Sequence, residues 1–418
     1  MSFFVLGVNH KSCPVEVREK IHFNGQLLSE SLRGIREAGT IPEAVILSTC
    51  NRVEIYGFTE KNGLPAEELL RLIEERHGIR RETFLHHLYQ YEGKDAVRHI
   101  FRVASGLDSL VVGENEILGQ LREAFLKAKE MGTVHSLLYR LMEKALKVGK
   151  EVRTETRINE GAVSVPSVAV ELAEKIFGKL HGQKVMVLGT GEMGELTLKN
   201  LRNSGAEALC VVSRNRERGE RLADLFGAEW VSLEGWDKHL AQVDILIAST
   251  AAPHPIVHFA QVEQLMKIRR NRPLFLIDIA VPRDIEAEIN TLGDVYLYNI
   301  DDLKSVADAN LKLRRAEVRS AERLAEEAVT RFQAWLEQLT ARPTLERFED
   351  FLNEILDQEL GRTSGEAGLN EEKRNELRER IRAKLLHPTL EKIKEASMNG
   401  GVTRYLEALR SLFDLDED

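Results

Sequence analysis

The chain has 418 residues, of which 43% are hydrophobic and 30% charged. That length suits roughly two to four domains, and the mixture excludes a disordered, low-complexity or single-module protein. Its 58 basic and 67 acidic residues leave a formal charge of -9, which excludes adhesion to nucleic acid by bulk charge.

The three cysteines, Cys13, Cys50 and Cys210, are too few and too scattered for a disulfide framework or a CxxC metal site. No apolar run reaches the length of about 18 residues that a membrane-spanning helix needs. The opening MSFFVLGVNHK has no basic stretch before its apolar run and no cleavage site after it. A protein of the reducing cytoplasm, without a membrane partner, is expected.

In chain order, residues 3–8 read as a strand, 24–38 as a helix, and 44–47 and 53–58 as two further strands. The polar segment Ser48-Thr49-Cys50-Asn51-Arg52 joins the last two. Residues 113–157 carry apolar positions at spacings of three and four and read as helical. A helix over 164–177 leads, past Gly182, to the apolar strand 184–188. That strand runs straight into Gly189-Thr190-Gly191-Glu192-Met193-Gly194. Apolar runs at 208–212, 245–248 and 274–279 alternate with helical patterns, as in parallel beta-alpha-beta units. Residues 303–341 contain neither Gly nor Pro, and as one helix would span about 58 Å. The apolar stripe Val306, Leu313, Val318, Leu324, Ala328, Phe332, Leu336 and Leu339 needs covering by other helices or a second subunit. A break at 362–369 precedes two more helical stretches, 370–386 and 389–413.

The fold class expected is α/β multidomain. It comprises an α+β N-terminal catalytic domain (1–156), a connecting helix with a Rossmann-type dinucleotide domain (157–302), and an all-helical dimerisation domain (303–418).

The glycine motif follows a strand and opens a helix, the context in which it binds dinucleotides. Gly189 permits the tight turn, Gly191 the approach of backbone to pyrophosphate, and Gly194 close helix-to-strand packing. Thr190, Glu192 and Met193 complete the loop, where the helix N-terminus supplies donors. After the next strand, Ser213 and Arg214, followed by Arg216, stand where an NAD site places an acidic residue. A hydroxyl and guanidinium groups suit a 2′-phosphate, so NADPH is expected over NADH.

A lone cysteine is usually a small buried hydrophobe. Cys50, however, lies among polar residues in a strand-to-strand connection, two residues before Arg52, whose charge would favour the thiolate. Cys13 and Cys210 read as structural. The stretch 140–157 holds six basic residues (Arg140, Lys144, Lys147, Lys150, Arg153 and Arg157) against three acidic ones, which fits both a phosphate contact and a solvated helix face. His99 falls in a helical pattern that suits packing. No cysteines and histidines, the adjacent His86 and His87 included, have zinc spacing, so no metal site is expected.

Three strings taken together resemble the glutamyl-tRNA reductase family: Gly7-Val8-Asn9-His10-Lys11 with Pro14-Val15-Glu16-Val17-Arg18-Glu19; the segment from Ser48 to Tyr56; and Gly113-Glu114-Asn115-Glu116-Ile117-Leu118-Gly119-Gln120. The similarity covers essentially the whole chain; Cys13 departs from it, standing where a small residue such as alanine is expected. The resemblance implies NADPH-dependent reduction of glutamyl-tRNA(Glu) to glutamate-1-semialdehyde through a Cys50 thioester, the first step of tRNA-dependent tetrapyrrole synthesis. It assigns the glutamyl pocket to Thr49, Asn51, Arg52, Ser109, Glu114, Asn115, Glu116 and Gln120, and gives His99 a role near the chemistry. Arg52 suits the substrate's carboxylate, and the acidic pair its ammonium group. The resemblance further implies a V-shaped homodimer through the C-terminal helices and channelling of the aldehyde to glutamate-1-semialdehyde aminomutase. With catalytic residues in the first domain and the nicotinamide in the second, hydride transfer is expected to need domain closure about a hinge near residues 157–177. Two other readings remain: an NADP-dependent small-molecule dehydrogenase of the aldehyde or shikimate type, and a non-catalytic NADPH-sensing dimer.

Overall fold

The computed structural model describes residues 2–59, 64–159, 164–270, 272–307, 315–363, 371–398 and 402–415. The chain divides into two compact units, Met1–Ala325 and Glu326–Asp418.

The first unit holds two sheets. Strands β1 (Ser2–Asn9), β2 (Glu43–Ser48), β3 (Arg52–Thr59) and β4 (Tyr89–Glu92) form an antiparallel sheet in the order β2-β3-β1-β4. Every residue of β3 is buried, polar ones included, because helices Gly93–Ala104, Glu116–Met131 and Ser136–Glu155 pack on the sheet. Where Ser136–Glu155 passes the end of Gly93–Ala104, a Cβ on Gly149 would fall on the Ala104 carbonyl oxygen and 2.7 Å from Leu118 Cδ1. A glycine in mid-helix, otherwise unfavourable, is here what lets two backbones approach.

Strands β5 (Lys184–Leu188), β6 (Ala208–Ser213), β7 (Glu229–Ser232), β8 (Ile245–Ala248), β9 (Leu274–Asp278) and β10 (Val295–Asn299) form a wholly parallel sheet in the order β10-β9-β8-β5-β6-β7. Its inner strands are continuous apolar runs because both faces are covered. The order reverses between β5 and β8, and a crevice at the carboxyl ends of those strands is where such sheets bind ligands. The core of this sheet is not confined to it: Val15, Leu110 and Val111 pack in the same apolar cluster as Val168, Val187, Ile247 and Ile277. One core thus joins the parallel sheet to residues 15 and 110–111 of the N-terminal half.

The second unit is helical, as expected, but its elements are bounded differently. Leu303 and Val306 pack into the parallel sheet's core, and Leu313 falls outside the described residues. The long helix is Arg315–Thr363 and passes through Pro343; the next, Glu371–Met398, passes through Pro388 and is followed by Val402–Phe413. Each proline removes one backbone hydrogen bond. Tertiary packing outweighs that loss, since Ala341 with Ile393 and Val402, and Phe348 with Leu386, form small buried cores around the proline-bearing turns.

Replacing Gly149 by Ala is expected to destabilise the chain by about 1 to 3 kcal/mol through overpacking, read as a lower urea midpoint at unchanged slope.

Candidate active site at a hairpin tip and a dinucleotide cavity

The β2–β3 connection is tight because Thr49 closes it. Its N–H donates to the Arg52 carbonyl (2.8 Å), and its hydroxyl oxygen accepts from the N–H groups of Asn51 and Arg52, both at 3.2 Å. Cys50 stands at the tip. The loop after β1 docks beside it, with His10 N–H donating to the Asn51 carbonyl at 2.9 Å. Asn9 organises that loop, its Oδ1 accepting from Lys11 N at 2.9 Å and Ser12 N at 3.2 Å.

Arg52, Glu54 and Tyr56 alternate along β3 and so share one face. Arg52, 1% exposed, places Nη1 2.8 Å from Glu54 Oε1 and 3.2 Å from Asp108 Oδ2, and donates from Nη2 to the Asp108 carbonyl at 2.6 Å. Glu54 also accepts from Tyr56, Tyr89 and, at 2.8 Å, His99 Nε2. Tyr91 stacks on the His99 ring with centroids 4.9 Å apart. Asp108 is held further by Asn9 Nδ2 at 3.1 Å and Lys11 Nζ at 2.6 Å. Burial works to raise the Glu54 carboxyl, but Arg52 and His99 hold it below the usual carboxylate range. Glu54, His99 and Asp108 offer ligand atoms within 4.8 Å of one another, the one such triplet among the described residues. The Arg52 guanidinium already supplies the cation these carboxylates require.

The 105–116 segment forms another wall. Arg153 fastens it by donating to the carbonyls of Glu114 (3.0 Å) and Asn115 (2.9 Å). Glu114 is buried, and burial with the neighbouring Glu116 pushes its carboxyl up to about 7. Within the described residues, Asn51 Oδ1, Glu116 Oε2 and His10 Nδ1 are buried without a hydrogen-bond partner, as expected of groups that await a polar ligand, while the Ser109 side chain bonds Glu114 and works against the rise of its carboxyl. The Asn115 side chain is exposed and caps nothing.

Burial, then Glu114, pushes the Cys50 thiol up to about 12, opposed by Arg18. The cation beside Cys50 is therefore Arg18, whose Nε lies 3.4 Å from the Cys50 carbonyl, and not Arg52, which is enclosed by its own carboxylates. Sequence reasoning missed Arg18, Asp108 and the two tyrosines. Only Glu54 and Tyr56 carried a signal, their alternation with Arg52.

A cavity of about 510 Å³ opens at the β5–β8 switch point. Leu188, Gly189, Thr190, Gly191, Glu192 and Met193 line one side, with Ser213, Arg214 and Asn215 at the end of β6. Gly189 has φ +113°, and a Cβ there would press on Ser249; a Cβ on Gly194 would fall on the Gly189 carbonyl oxygen, so Gly194 packs the helix and does not line the cavity. Gly191 caps helix Glu192–Asn203 with no side-chain hydrogen bond, leaving its first N–H groups to a ligand. A glycine cradle opening on uncapped donors fits the pyrophosphate of a dinucleotide. Ser213 donates to the Asn215 carbonyl at 2.9 Å and accepts from Trp230, whereas Arg214 is exposed. Cys50 and Gln120 line this same cavity. The tip that carries Cys50 and the glycine loop thus border one cavity.

Three family models match the chain in succession: the N-terminal domain of glutamyl-tRNA(Glu) reductase over residues 6–156, shikimate/quinate 5-dehydrogenase over 171–306, and the glutamyl-tRNA(Glu) reductase dimerisation domain over 320–415. The glutamyl-tRNA reductase of Pelobacter propionicus is 43% identical over 99% of this chain and 96% of its own length. The chain belongs to the glutamyl-tRNA reductase family. The Geobacter sulfurreducens member is 40% identical over 100% of this chain and 97% of its own. The solved glutamyl-tRNA reductase from Methanopyrus kandleri is 37% identical over 96% of this chain and 98% of its own, with a TM-score of 0.47. The family's three-part architecture agrees with the two sheets and helical end, and the middle match implies a nicotinamide dinucleotide cofactor.

Two titrations follow. Glu54→Gln leaves Arg52 short of one counter-charge and is expected to cost about 3 to 5 kcal/mol in urea unfolding. Glu114 has a folded pKa of about 7 against an ordinary 4.5, so between those values the folded state binds the extra proton. Wild-type stability relative to Glu114→Gln should therefore fall as pH rises from 4.5 to 7 and level off above. Equal pH profiles for the two proteins would contradict it.

Proposed function

We propose that this chain reduces glutamyl-tRNA(Glu) to glutamate-1-semialdehyde with NADPH, releasing tRNA, as the first step of tRNA-dependent tetrapyrrole (5-aminolevulinate) synthesis. The observation that carries the reading is Cys50, at a hairpin tip, lining the cavity built by the dinucleotide loop.

A hydride does not readily reduce an ester, and a thioester carbonyl is more electrophilic. Cys50 Sγ attacks the aminoacyl carbon, the carbon–oxygen bond to the terminal ribose breaks, and the tRNA oxygen leaves with a proton. The resting thiol, held near 12 by burial and then by the Glu114 charge, must first lose its own proton, a step that Arg18 favours. The glycine cradle of Gly189, Thr190 and Gly191 would hold NADPH, which would supply the hydride that converts the thioester to the aldehyde and frees the Cys50 thiolate. His99 Nε2 donates to the ionised Glu54, which leaves Nδ1 as the nitrogen for the role near the chemistry that the family resemblance gives this residue.

The substrate pocket comprises Thr49, Asn51, Arg52, Ser109, Glu114, Asn115, Glu116 and Gln120. Asn51 and Glu116 contribute unpaired polar atoms, while Arg52 fixes the carboxylates behind the hairpin. Arg214 receives the cofactor's 2′-phosphate, while the Ser213 hydroxyl, which donates to the Asn215 carbonyl, shapes the turn that would hold it. The catalytic, dinucleotide and association parts are assigned to 1–156, 157–302 and 303–418. The last carries exposed Leu385, Tyr405 and Leu412, an apolar surface suited to a second copy of the chain. No helix of the described residues is long and apolar enough to cross a membrane. We place the enzyme in the cytoplasm, as a homodimer that hands its reactive aldehyde to the aminomutase.

Cys50→Ser is expected to abolish NADPH-dependent semialdehyde formation while leaving NADPH binding intact; retained activity would refute the thioester. Arg214→Ala should weaken NADPH roughly 10- to 100-fold with NADH unchanged, the cost of one charged hydrogen-bonding group. Equal losses for both cofactors would refute the phosphate contact. Sedimentation at micromolar concentration should report a dimer.

A further inference from the structure

Arg18 is 1% exposed, and its guanidinium donates to carbonyl and carboxylate oxygens. Two belong to the catalytic half: the carbonyls of Cys13, 2.5 Å from Nη1, and of Cys50, 3.4 Å from Nε. The counter-charge belongs to the other half. Asp301, in the turn after β10, lies with Oδ1 2.8 Å from Nη2 and Oδ2 3.4 Å from Nη1. The same Oδ2 accepts the Val15 N–H at 3.0 Å, and the Asp301 N–H is itself held by Asn299 Oδ1 at 2.8 Å. One carboxylate of the parallel sheet therefore grips both main chain and side chain of the segment beside the nucleophile.

A second pair repeats the arrangement at the rim. Arg283 Nη2 lies 2.7 Å from Glu19 Oε1, and Nε 3.0 Å from Glu19 Oε2. A buried guanidinium is tolerated only when paired. Among the described residues Arg18 finds its carboxylate across the boundary, so its burial depends on the two sheets being together.

We propose that Arg18 and Asp301 form a clasp holding the Cys50 tip at the dinucleotide cavity. They are positioning residues for the hydride step, one level removed from the reacting atoms. The proposal rests on the thioester reading above. It also separates the half-reactions: acyl capture needs only the hairpin and the 105–116 wall, whereas reduction needs the clasp.

The test uses full-length Asp301→Asn, and Arg283→Gln as a second variant should the first fold poorly. Three readouts are taken: NADPH-free release of glutamate from glutamyl-tRNA, NADPH-dependent semialdehyde formation, and amide hydrogen exchange without substrate. Expected for Asp301→Asn is a roughly 10- to 100-fold loss of reduction, with NADPH-free release within about threefold of wild type. Exchange should quicken in residues 14–19 and 299–302 together, and stay unchanged in 341–352. Parallel loss of both activities, or unchanged exchange with unchanged reduction, would overturn the clasp. A wild-type chain that bound NADPH but left glutamyl-tRNA intact would refute the functional reading instead, and the exchange data would then decide the clasp alone.

Discussion

A fully buried guanidinium is the constraint on which the catalytic half is built. Arg52 keeps its charge even when buried, so its desolvation must be offset by matched carboxylates, and Glu54 and Asp108 supply them at 2.8 and 3.2 Å. Those carboxylates in turn need donors. Tyr56, Tyr89 and His99 serve Glu54, while Asn9 and Lys11 serve Asp108. The network thereby joins β1, β3, β4 and the helix Gly93–Ala104, and it locks the strand that begins at the Cys50 turn. Loss of one member strands the others, which is why the cluster behaves as a unit.

The second constraint is the shared apolar core. Val15, Leu110 and Val111 are buried against the parallel sheet, and Cys50 packs against the same cluster. Reduction by a dinucleotide requires the acyl group and the cofactor to meet in a water-poor space. Here the hairpin tip and the Gly189–Met193 loop already border one cavity. Burial also explains why the Cys50 thiol and the Glu114 carboxyl both hold their protons more tightly than they would in water.

Much of this was legible in the sequence wherever the signal is local. The strands that became β5 and β8 are bare apolar runs, and the glycine motif stands in its diagnostic setting between strand and helix. Cys50 was visible by its polar neighbours, and its catalytic reading by family resemblance. What escaped is non-local. Asp108 lies more than fifty positions from Arg52, with no spacing rule to pair them. Arg18 and Asp301 are 283 positions apart. Arg52 itself looked like a free cation beside a thiol, because burial in a carboxylate cage leaves no trace in the string. Pro343 and Pro388 looked like helix stops, since the small cores that outweigh their missing hydrogen bonds form only in three dimensions.

The most direct test of the thioester account is to expose the purified chain to glutamyl-tRNA without NADPH and follow the Cys50 peptide by mass spectrometry. The account predicts a glutamyl adduct on Cys50 that disappears when NADPH is added, with semialdehyde appearing in its place. An unmodified Cys50 beside intact charged tRNA, in a protein that binds NADPH, would contradict it.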